Sequence, residues 1–521
     1  MPARFSLRSA LPFVLLAIAA CGDGTTETPF VAEDAGRSDA DSNADSNAGS
    51  DASADASESL DGASPADAAG RDAQTRDASR AADSSAPVTP EAGPDAARPP
   101  LPDAAPSPDA APPATAPYQP FPQHVTYASG SIRPNHRTQA QLDDRVRTLY
   151  REWKARYLVD VPGASPRQAY VFYNKEGSAS SNTAIVSCSE GHGYGMLLAA
   201  YMAGADSAAR EDFDALTRFY DAHRSSIEPT LMAWQHVKQG TQIVNNPSGG
   251  SDSAADGDLD IAYAFFVAHD QWGGSGAFDY RAKGLAMARG IAHGLLASSD
   301  KHLRLGDWVR ESDPKYGPTT RASDFLLGHL DVFGAADATL GFSQAKTTTL
   351  AIATTQMARG GSAATGLLPD FLTRGASGWA PVPAGFLEGA HDGDYHYNAC
   401  RVPWRLGTYA LTSGDRALHG SLETLNAFIK GATGGNARNV KAGYRVGSGT
   451  PGQSYANYED LAFTAPFLVS AAIDARHQSW MNALWDASAE GFPTANDVYY
   501  GNSIRLLSVL VASGNWWVPT P

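Results

Sequence analysis

Apolar residues recur every three or four positions through most of the chain after residue 117, which is the spacing of an amphipathic helix. Connections rich in Gly and Pro separate these periodic stretches. The pattern predicts an all-α fold with helices over residues 138–157, 191–205, 208–224, 258–271, 280–297, 323–333, 344–359, 402–412, 417–430, 458–475, 479–489 and 498–513.

The predicted helices fall into two populations. Segments such as 261–268 and 461–472 are apolar nearly all round, as expected of helices buried on every side, whereas the others carry one apolar stripe. Two such populations predict helical hairpins closed into a double ring, with polar loops at one end. A helical repeat protein is the structural alternative, although the sequence has no fixed repeat period.

The N-terminus resembles a bacterial lipoprotein signal. Arg4 and Arg8 precede an apolar run over residues 11–20, which is too short to span a bilayer. Cys21 follows this run directly, so residues 1–21 are interpreted as a signal peptide whose Cys21 is lipidated. Because Gly22 follows rather than Asp, we expect an outer-membrane or cell-surface lipoprotein. A plain secretory signal with a coincidental Cys is the alternative.

Residues 22–117 consist mainly of Ala, Asp, Ser and Pro, and contain 19 acidic residues against five Arg. Such a segment cannot bury enough apolar surface to fold, so it is predicted to be a disordered spacer. It carries most of the net charge of −16. Residues 118–521 are therefore nearly neutral, which argues against a nucleic-acid partner. They are long enough for one large core, and we expect a monomer.

Only Cys188 and Cys400 lie in this globular part. Two cysteines do not make a disulfide scaffold, and whether they form one bridge is left open. The 13 His show no ligand cluster, so neither a metal nor another cofactor is expected.

The first motif with chemical potential runs from Ser187 to Met196 and contains Glu190. Glu190 could be an ordinary first-turn charge at a helix start. Three Gly within five residues favour a second interpretation, in which a bulky ligand approaches the backbone and Tyr194 supplies an aromatic wall. A carboxylic acid in such a half-enclosed site can act as a general acid.

The second motif, residues 253–262, contains Asp256, Asp258 and Asp260. An EF-hand is excluded because Ile261 and Val267 occupy the positions of its Gly and bidentate Glu. Helix capping is the alternative for Asp256. In the third motif, residues 397–405, Arg401 and Trp404 could be packing residues or a sugar-binding rim, in which Arg orients a carboxylate and Trp stacks on a pyranose.

Together the motifs resemble glycoside hydrolase family 8, over essentially all of residues 130–521. The Ser-Glu-Gly-x-Gly-Tyr-Gly-Met string is highly specific, and Asp-Gly-Asp-Leu-Asp-Ile-Ala matches except that Ala255 replaces the usual Ser or Thr. The resemblance implies an (α/α)6 barrel and inversion at the anomeric carbon. It makes Glu190 the general acid, Asp256 a binder of the distorted sugar, Arg401 a guide for nearby carboxylates and Trp234 a stacking platform. A Trp packed in the core is the alternative for Trp234.

One position departs from the best-known branch of that family, because Asn398 stands where an Asp serves as the general base. Asn cannot take a proton from water at neutral pH. In a second branch, which includes chitosanases and mixed-linkage glucanases, a loop Glu does this work. Glu388 is the corresponding candidate here, with Asp392 and Asp394 as runners-up, and surface solvation is the alternative for Glu388.

We therefore expect an endo-acting, inverting hydrolase of β-1,4 bonds in chitosan, mixed-linkage β-glucan or cellulose. Trp308 and Trp404 are expected to line the cleft, and Asp324 could meet a glucosaminyl ammonium, although helix capping by Ser323 is the alternative there. The only membrane contact expected is a lipid on Cys21. The rival function is a catalytically silent carbohydrate-binding surface protein, which Asn398 would permit.

Overall fold

The computed structural model describes residues 118–173, 185–494 and 498–521, and the predicted signal and spacer lie outside these ranges. Each of the twelve predicted helices is present. The helices are α1 Gln139–Tyr157, α2 Ser189–Tyr201, α3 Ala209–Ala222, α4 Ala255–Trp272, α5 Tyr280–Gly294, α6 Leu327–Ala336, α7 Phe342–Met357, the short α8 Ser362–Thr365, α9 Val402–Ser413, α10 His419–Ala432, α11 Leu461–Ala471, α12 Gln478–Trp485 and α13 Tyr499–Ala512.

Six helices form a closed inner ring. Helix α2 packs on α4, and the ring continues through α6, α9, α11 and α13 back to α2. The helices that alternate with them in the sequence lie outside: α3, α5, α7, α10 and α12 each contact the inner helix just before them, and α1 contacts α13. This arrangement confirms the (α/α)6 barrel expected from the sequence.

Burial explains why the two populations of helices differ in sequence. Every residue of α11 is buried, whereas α10 buries only Leu422, Leu425, Asn426 and Ile429. A helix inside the ring has no face toward water, and each large apolar side chain that it buries contributes about 1.5–3 kcal/mol. An outer helix keeps one polar face in solvent, which gives the striped pattern.

The glycines of the Glu190 motif serve packing. A Cβ at Gly193 would lie 2.8 Å from Asp260 Cβ, and one at Gly195 would lie 2.5 Å from Val171 Cγ2. These glycines let α2 approach α4 and the outer layer closely. The interpretation that they open the backbone to a bulky ligand was therefore wrong for these two positions.

Short antiparallel sheets, which the sequence pattern did not predict, decorate the barrel. They comprise β1 Leu158–Asp160 with β2 Ala169–Val171, then β3 Ile185–Cys188, β4 Gln235–Gln239 and β5 Gln242–Asn245, and finally β6 Thr319–Arg321, β7 Phe371–Gly375 and β8 Gly378–Pro381. Strand β3 runs directly into α2, and β6 ends at Arg321 beside Phe371 of β7. Two of the sheets thus fix segments at the end of the barrel where the inner helices begin.

The two cysteines of the barrel, Cys188 and Cys400, are buried free thiols. The possible bridge between them is therefore absent. Within the described ranges, no helix combines the length and the apolar character needed to cross a membrane.

Candidate active site

A pocket of about 760 Å³, including its open mouth, lies where the inner helices begin. Most of its polar residues come from the first turns of inner helices or from the segments just before them. Its walls are formed by Cys188, Ser189, Glu190, Trp234, Ala254, Asp256, Arg321, Glu388, Tyr397, Asn398, Arg401, Asp460, Val498 and Tyr500. Three carboxylates predicted from the sequence, Glu190, Asp256 and Glu388, are thus brought together.

Glu190 lies in the first turn of α2 and both of its carboxylate oxygens are hydrogen-bonded. The Tyr499 hydroxyl donates to Oε1 at 2.7 Å, and Arg401 Nη1 donates to Oε2 at 2.7 Å. Burial raises the pKa of Glu190 above its ordinary value, although Arg401 opposes the shift. A carboxyl group that holds its proton more tightly than usual is suited to act as an acid.

Asp256 lies in the first turn of α4 and is held by two arginines. Arg401 Nη1 donates to Oδ2 at 2.7 Å, and Arg321 Nη2 donates to Oδ1 at 3.1 Å. Burial would raise the pKa of Asp256, but Arg321 and Arg401 hold it well below its usual range, so the group stays ionised. Its Oδ1 also accepts the N–H of Gly257 at 2.9 Å, but the N-cap position of α4 is held by Ala254, so Asp256 is not the N-cap residue.

Glu388 is buried at the pocket and is not the solvated surface residue of the alternative interpretation. Asn398 Nδ2 donates to its Oε2 at 2.7 Å, and Arg321 Nη1 lies 3.8 Å from Oε1. Burial is the main cause that raises the pKa of Glu388 to about 8; the charge of Arg321 opposes the rise, and the nearby carboxylate of Asp370 contributes to it.

The two runners-up for the base serve the backbone instead. Asp392 accepts the N–H groups of Leu387, Glu388 and Gly389 at 2.7–3.1 Å, and so shapes the loop that carries Glu388. Asp394 accepts the N–H of Val446 at 2.9 Å and is not part of the pocket wall. Of the three candidates, only Glu388 lines the pocket.

Asn398 lies between the two halves of the site. Its Oδ1 accepts from Arg401 Nη2 at 2.9 Å, while its Nδ2 donates to Glu388. The same Nδ2 lies 3.3 Å from Oδ2 of Asp370, a buried carboxylate just before β7. Arg401 thus links Asn398 with Glu190 and Asp256 through one guanidinium group, as the resemblance implied for this arginine.

Four residues expected at the substrate do not reach the pocket wall. Trp404 is 1% exposed and packs edge-on against Tyr194, which is itself fully buried and accepts from Arg401 Nη1 at 3.3 Å. Trp308 packs against Tyr316 in a separate apolar cluster. The predictions for Trp404 and Tyr194 are corrected because both rings are buried in protein, whereas Trp308 is only partly buried and its place in the cleft stays a prediction. Trp234 does line the pocket, with its Nε1 donating to Gly249 O at 2.7 Å.

Asp324 is the fourth of these residues. It lies in a 3-10 turn before α6, fully buried, and accepts from Arg321 Nε at 3.2 Å and from Ser323 Oγ at 3.0 Å. Burial raises the pKa of Asp324 to about 6 against the effect of Arg321. The expected contact with a substrate ammonium is therefore replaced by a contact that orients Arg321.

Sequence reasoning missed several residues of the site: Arg321, Asp370, Asp460, Tyr397, Tyr499 and Tyr500. The Tyr499–Tyr500 pair could have been found, since it opens the last predicted helix at the same barrel end as Glu190. Asp460 also falls within a predicted helix, 458–475, whereas Arg321 ends a three-residue strand and Asp370 and Tyr397 lie in loops, where no periodic signal is visible. Within the described residues, no group of three or more His, Cys, Asp or Glu side chains is arranged to hold a metal ion.

The sequence of this chain matches a known family and several known proteins. The sequence profile of the family described as "Glycosyl hydrolases family 8" matches residues 167–514. A "Beta-glucanase" of Niallia circulans is 41% identical over 402 residues, which covers 77% of this chain and 92% of that protein. An "Endoglucanase" of Bacillus sp. (strain KSM-330) is 33% identical over 416 residues, which covers 77% and 82%.

Solved structures show the same fold. The apo structure of a beta-1,3-1,4-glucanase from Paenibacillus sp. X4 has 41% sequence identity and a TM-score of 0.70, covering 77% of this chain and 100% of that one. A cold-adapted family 8 xylanase has a TM-score of 0.59 at 19% identity, covering 75% and 98%, which is a likeness of fold alone.

Proposed function

Because the chain belongs to glycosyl hydrolase family 8, we propose that it is an inverting endo-hydrolase that cleaves β-1,4 bonds in a β-glucan. In this proposal Glu190 is the general acid, Glu388 is the general base and Asp256 binds the sugar at the cleavage point. The relatives named endoglucanase and beta-glucanase support hydrolysis within a glucan chain.

One observation carries the assignment of the base. Glu388 Oε1 is buried at the pocket and has no hydrogen-bond partner among the described residues. The oxygens of the other pocket carboxylates accept from protein donors: those of Glu190 from Tyr499 and Arg401, those of Asp256 from the two arginines, and those of Asp460 from Ala462 N and the Tyr397 hydroxyl. A base needs such an open lone pair to receive a proton from water.

The proposed reaction moves two protons in one displacement. Glu388 Oε1 takes a proton from a water molecule as the water oxygen forms a bond to the anomeric carbon. The glycosidic C–O bond breaks, and its electron pair stays with the leaving oxygen, which takes the proton of Glu190. Attack from the face opposite the leaving group inverts the anomeric carbon, and it requires about 6.5–9.5 Å between the two carboxyl groups.

Asp256 stays ionised during this reaction because two arginines hold its pKa low. An ionised carboxylate favours the positive charge that develops on the sugar ring in an oxocarbenium-like transition state. Arg401 also joins Asp256 to Glu190, so that the acid and the sugar-binding group keep a fixed relationship.

A neutral glucan fits this pocket better than chitosan. A glucosaminyl ammonium needs a carboxylate oxygen without another donor. Among the described pocket carboxylates only Glu388 Oε1 lacks a hydrogen-bond donor, and the proposed reaction uses that oxygen for the water, with Arg321 Nη1 already 3.8 Å from it. Asp324, the earlier candidate for that contact, is buried behind Arg321. The 41% identity to a beta-1,3-1,4-glucanase supports mixed-linkage β-glucan as the first substrate to test.

The test is product formation from lichenan, carboxymethyl-cellulose, xylan and chitosan, with the product anomer followed by NMR. We expect the highest rate on lichenan, internal cleavage and inversion. Glu190→Gln and Glu388→Gln should each lose about 100-fold or more in kcat, as expected for a general acid or base. Glu423→Gln is the matched control, because Glu423 pairs with His477 on the outer layer.

Two outcomes would overturn the proposal. Retention of configuration would remove the inverting mechanism. Tight binding of glucan without product, by a folded protein, would identify the chain as a carbohydrate-binding protein instead.

A further inference from the structure

A buried carboxylate outside the pocket wall organises the turn that carries Asn398. Asp370 is 2% exposed and accepts the backbone N–H groups of His396 at 3.0 Å, Asn398 at 3.1 Å and Ala399 at 2.7 Å. Three donors on one carboxylate fix the chain just before α9. The backbone of Asp370 also accepts from Ala322 N at 2.9 Å, next to Arg321, so this residue ties together two walls of the site.

The surroundings of Asn398 allow only one of the two orientations of its side-chain amide. Its oxygen faces a guanidinium donor, Arg401 Nη2, and its nitrogen faces two carboxylates, Glu388 at 2.7 Å and Asp370 at 3.3 Å. A flipped amide would set an oxygen against two acceptors and an NH2 group against a donor. The surroundings therefore hold the nitrogen toward Glu388.

We propose that Asp370 is a positioning residue for the reaction, which fixes the Asn398 amide and thereby holds Glu388 with one carboxylate oxygen aimed at the attacking water. With Asn398 bound to Oε2, the other oxygen, Oε1, has no hydrogen-bond donor among the described residues, and Arg321 Nη1 lies 3.8 Å from it. The inference rests on the proposed function, because it gives Asp370 a role only if Glu388 is the base.

The same arrangement explains why an amide stands at position 398. An aspartate there would set a third carboxylate 3.3 Å from Asp370 and 2.7 Å from Glu388, where only a donor now fits. Like charges at such distances cannot all ionise, so one would hold a proton. In this chain the Asn is therefore part of the base assembly and is not the remnant of a lost base.

Asp370 also acts on Glu388 through its charge, which is present at and above about pH 7 because burial raises the pKa of Asp370 to about 7. The groups that face Glu388 are Arg321 at the end of β6, Asp370 before β7, Asp392 in its own loop and the amide of Asn398. After burial, Asp370 and Asp392 raise the pKa of Glu388, while Arg321 and Asn398 lower it. A base works only when ionised, so activity is lost as the pH falls through the pKa of Glu388; this fall is the acidic limb of the pH–rate profile. Because Asp370 raises that pKa, it moves the acidic limb to higher pH.

The experiment compares the pH dependence of kcat/KM on lichenan for the full chain and for Asp370→Asn. The variant keeps the shape of the side chain but removes its charge and turns a donor toward Asn398. We expect kcat to fall about 100-fold from the misplaced base. The acidic limb should move to lower pH by about one unit, as expected when a neighbouring like charge is removed. Asp143→Asn is the control, since Asp143 is another buried, hydrogen-bonded carboxylate, on α1.

Asn398→Asp provides a second, independent variant that decides the matter if Asp370→Asn does not fold. Its added carboxylate should lower kcat and move the acidic limb to higher pH. An acidic limb that stays in place in the folded variants would overturn the role of Asp370, whether or not the rate falls. If Glu388→Gln remains active, the proposed function itself fails. This measurement does not involve Asp370 or Asn398, so it separates failure of the proposed function from failure of the role of Asp370.

Discussion

Tyr499 donates its hydroxyl to Glu190 Oε1 at 2.7 Å, and it can do so because the residue after that acid is a glycine. A Cβ on Gly191 would lie 2.7 Å from the Tyr499 hydroxyl oxygen, closer than real side chains approach. One of the three glycines of the Glu190 motif thus makes room for the hydroxyl that orients the acid.

Removing this hydroxyl should alter the acid and not the fold. The hydrogen bond from Tyr499 lowers the pKa of Glu190, so Tyr499→Phe should raise it and move the basic limb of the pH–rate profile to higher pH. We expect kcat to fall up to about tenfold, the size of one hydrogen bond to an uncharged group, because Glu190 is protonated when it acts as the acid. Steady-state kinetics on lichenan measures both. Tyr150→Phe, which loses a bond to Asp206 on the outer layer, should leave the limb in place.

Glu388 should make stability depend on pH in a direction opposite to that of an ordinary salt-bridged acid. Its pKa rises from 4.5 to about 8 in the folded protein, so its proton is bound more tightly there than in the unfolded chain. This contribution to stability is complete below pH 4.5 and is lost as the pH rises through about 8.

Thermal unfolding of the wild type and of Glu388→Gln from about pH 5 to pH 9 measures this effect. The melting temperature of the wild type relative to the variant should fall as the pH rises, because Gln has no proton to lose. If the melting temperatures of the two proteins change in parallel across this pH range, Glu388 titrates as an ordinary carboxyl group. That result would contradict a buried Glu388 with a raised pKa.

Two tryptophans that look alike in the sequence should behave differently. Trp234 lines the pocket, whereas Trp404 is packed between Tyr194 and the guanidinium of Arg405, 3.8 Å from its ring centroid. Trp234→Phe should raise KM by up to about tenfold, the value of an aromatic contact, with a smaller change in kcat. Trp404→Phe should instead lower the melting temperature and leave KM unchanged. An increase in KM for Trp404→Phe alone would contradict this assignment.

Residue 21 provides a test of export and anchoring. If Cys21 carries a lipid, the full-length chain expressed in a bacterium with a lipoprotein export pathway should fractionate with membranes, and Cys21→Ser should be released as a soluble, active enzyme. Each buried CH2 of an acyl chain adds about 0.8 kcal/mol to membrane binding, so the loss should be clear. Equal distribution of both proteins between the fractions would favour a plain secretory signal.

The helices and the central residues of the candidate site could both be predicted from the sequence, but for different reasons. Helices such as α11 have a long, strong pattern that follows from burial in the ring, whereas the three- to five-residue strands have too few positions for a period to be visible. The placement of Glu190, Asp256 and Arg401 in one pocket required the family resemblance, because nothing in their spacing brings three helix starts together.

The residues that were missed or misplaced depend on contacts between distant segments. Asp370 is a single acid in a loop, and its partner Asn398 follows 28 positions later. Trp404 was expected in the cleft because a Trp near a helix start has the same local sequence whether it faces a ligand or the core. Asp324 and Glu388 are both acids near turns that contact Arg321, and only the packing around Arg321 decides that Glu388 lines the pocket and Asp324 does not.

Chemical rescue of Glu388→Ala by azide tests the central claim most directly. Azide is a nucleophile that needs no base, and it fits the space left by the carboxylate and its water. With an activated β-glucoside oligosaccharide as substrate, we predict that azide restores the rate and that NMR detects a glycosyl azide of inverted, α configuration. Absence of rescue in a folded variant, or a β-glycosyl azide, would contradict a base at Glu388 acting opposite Glu190.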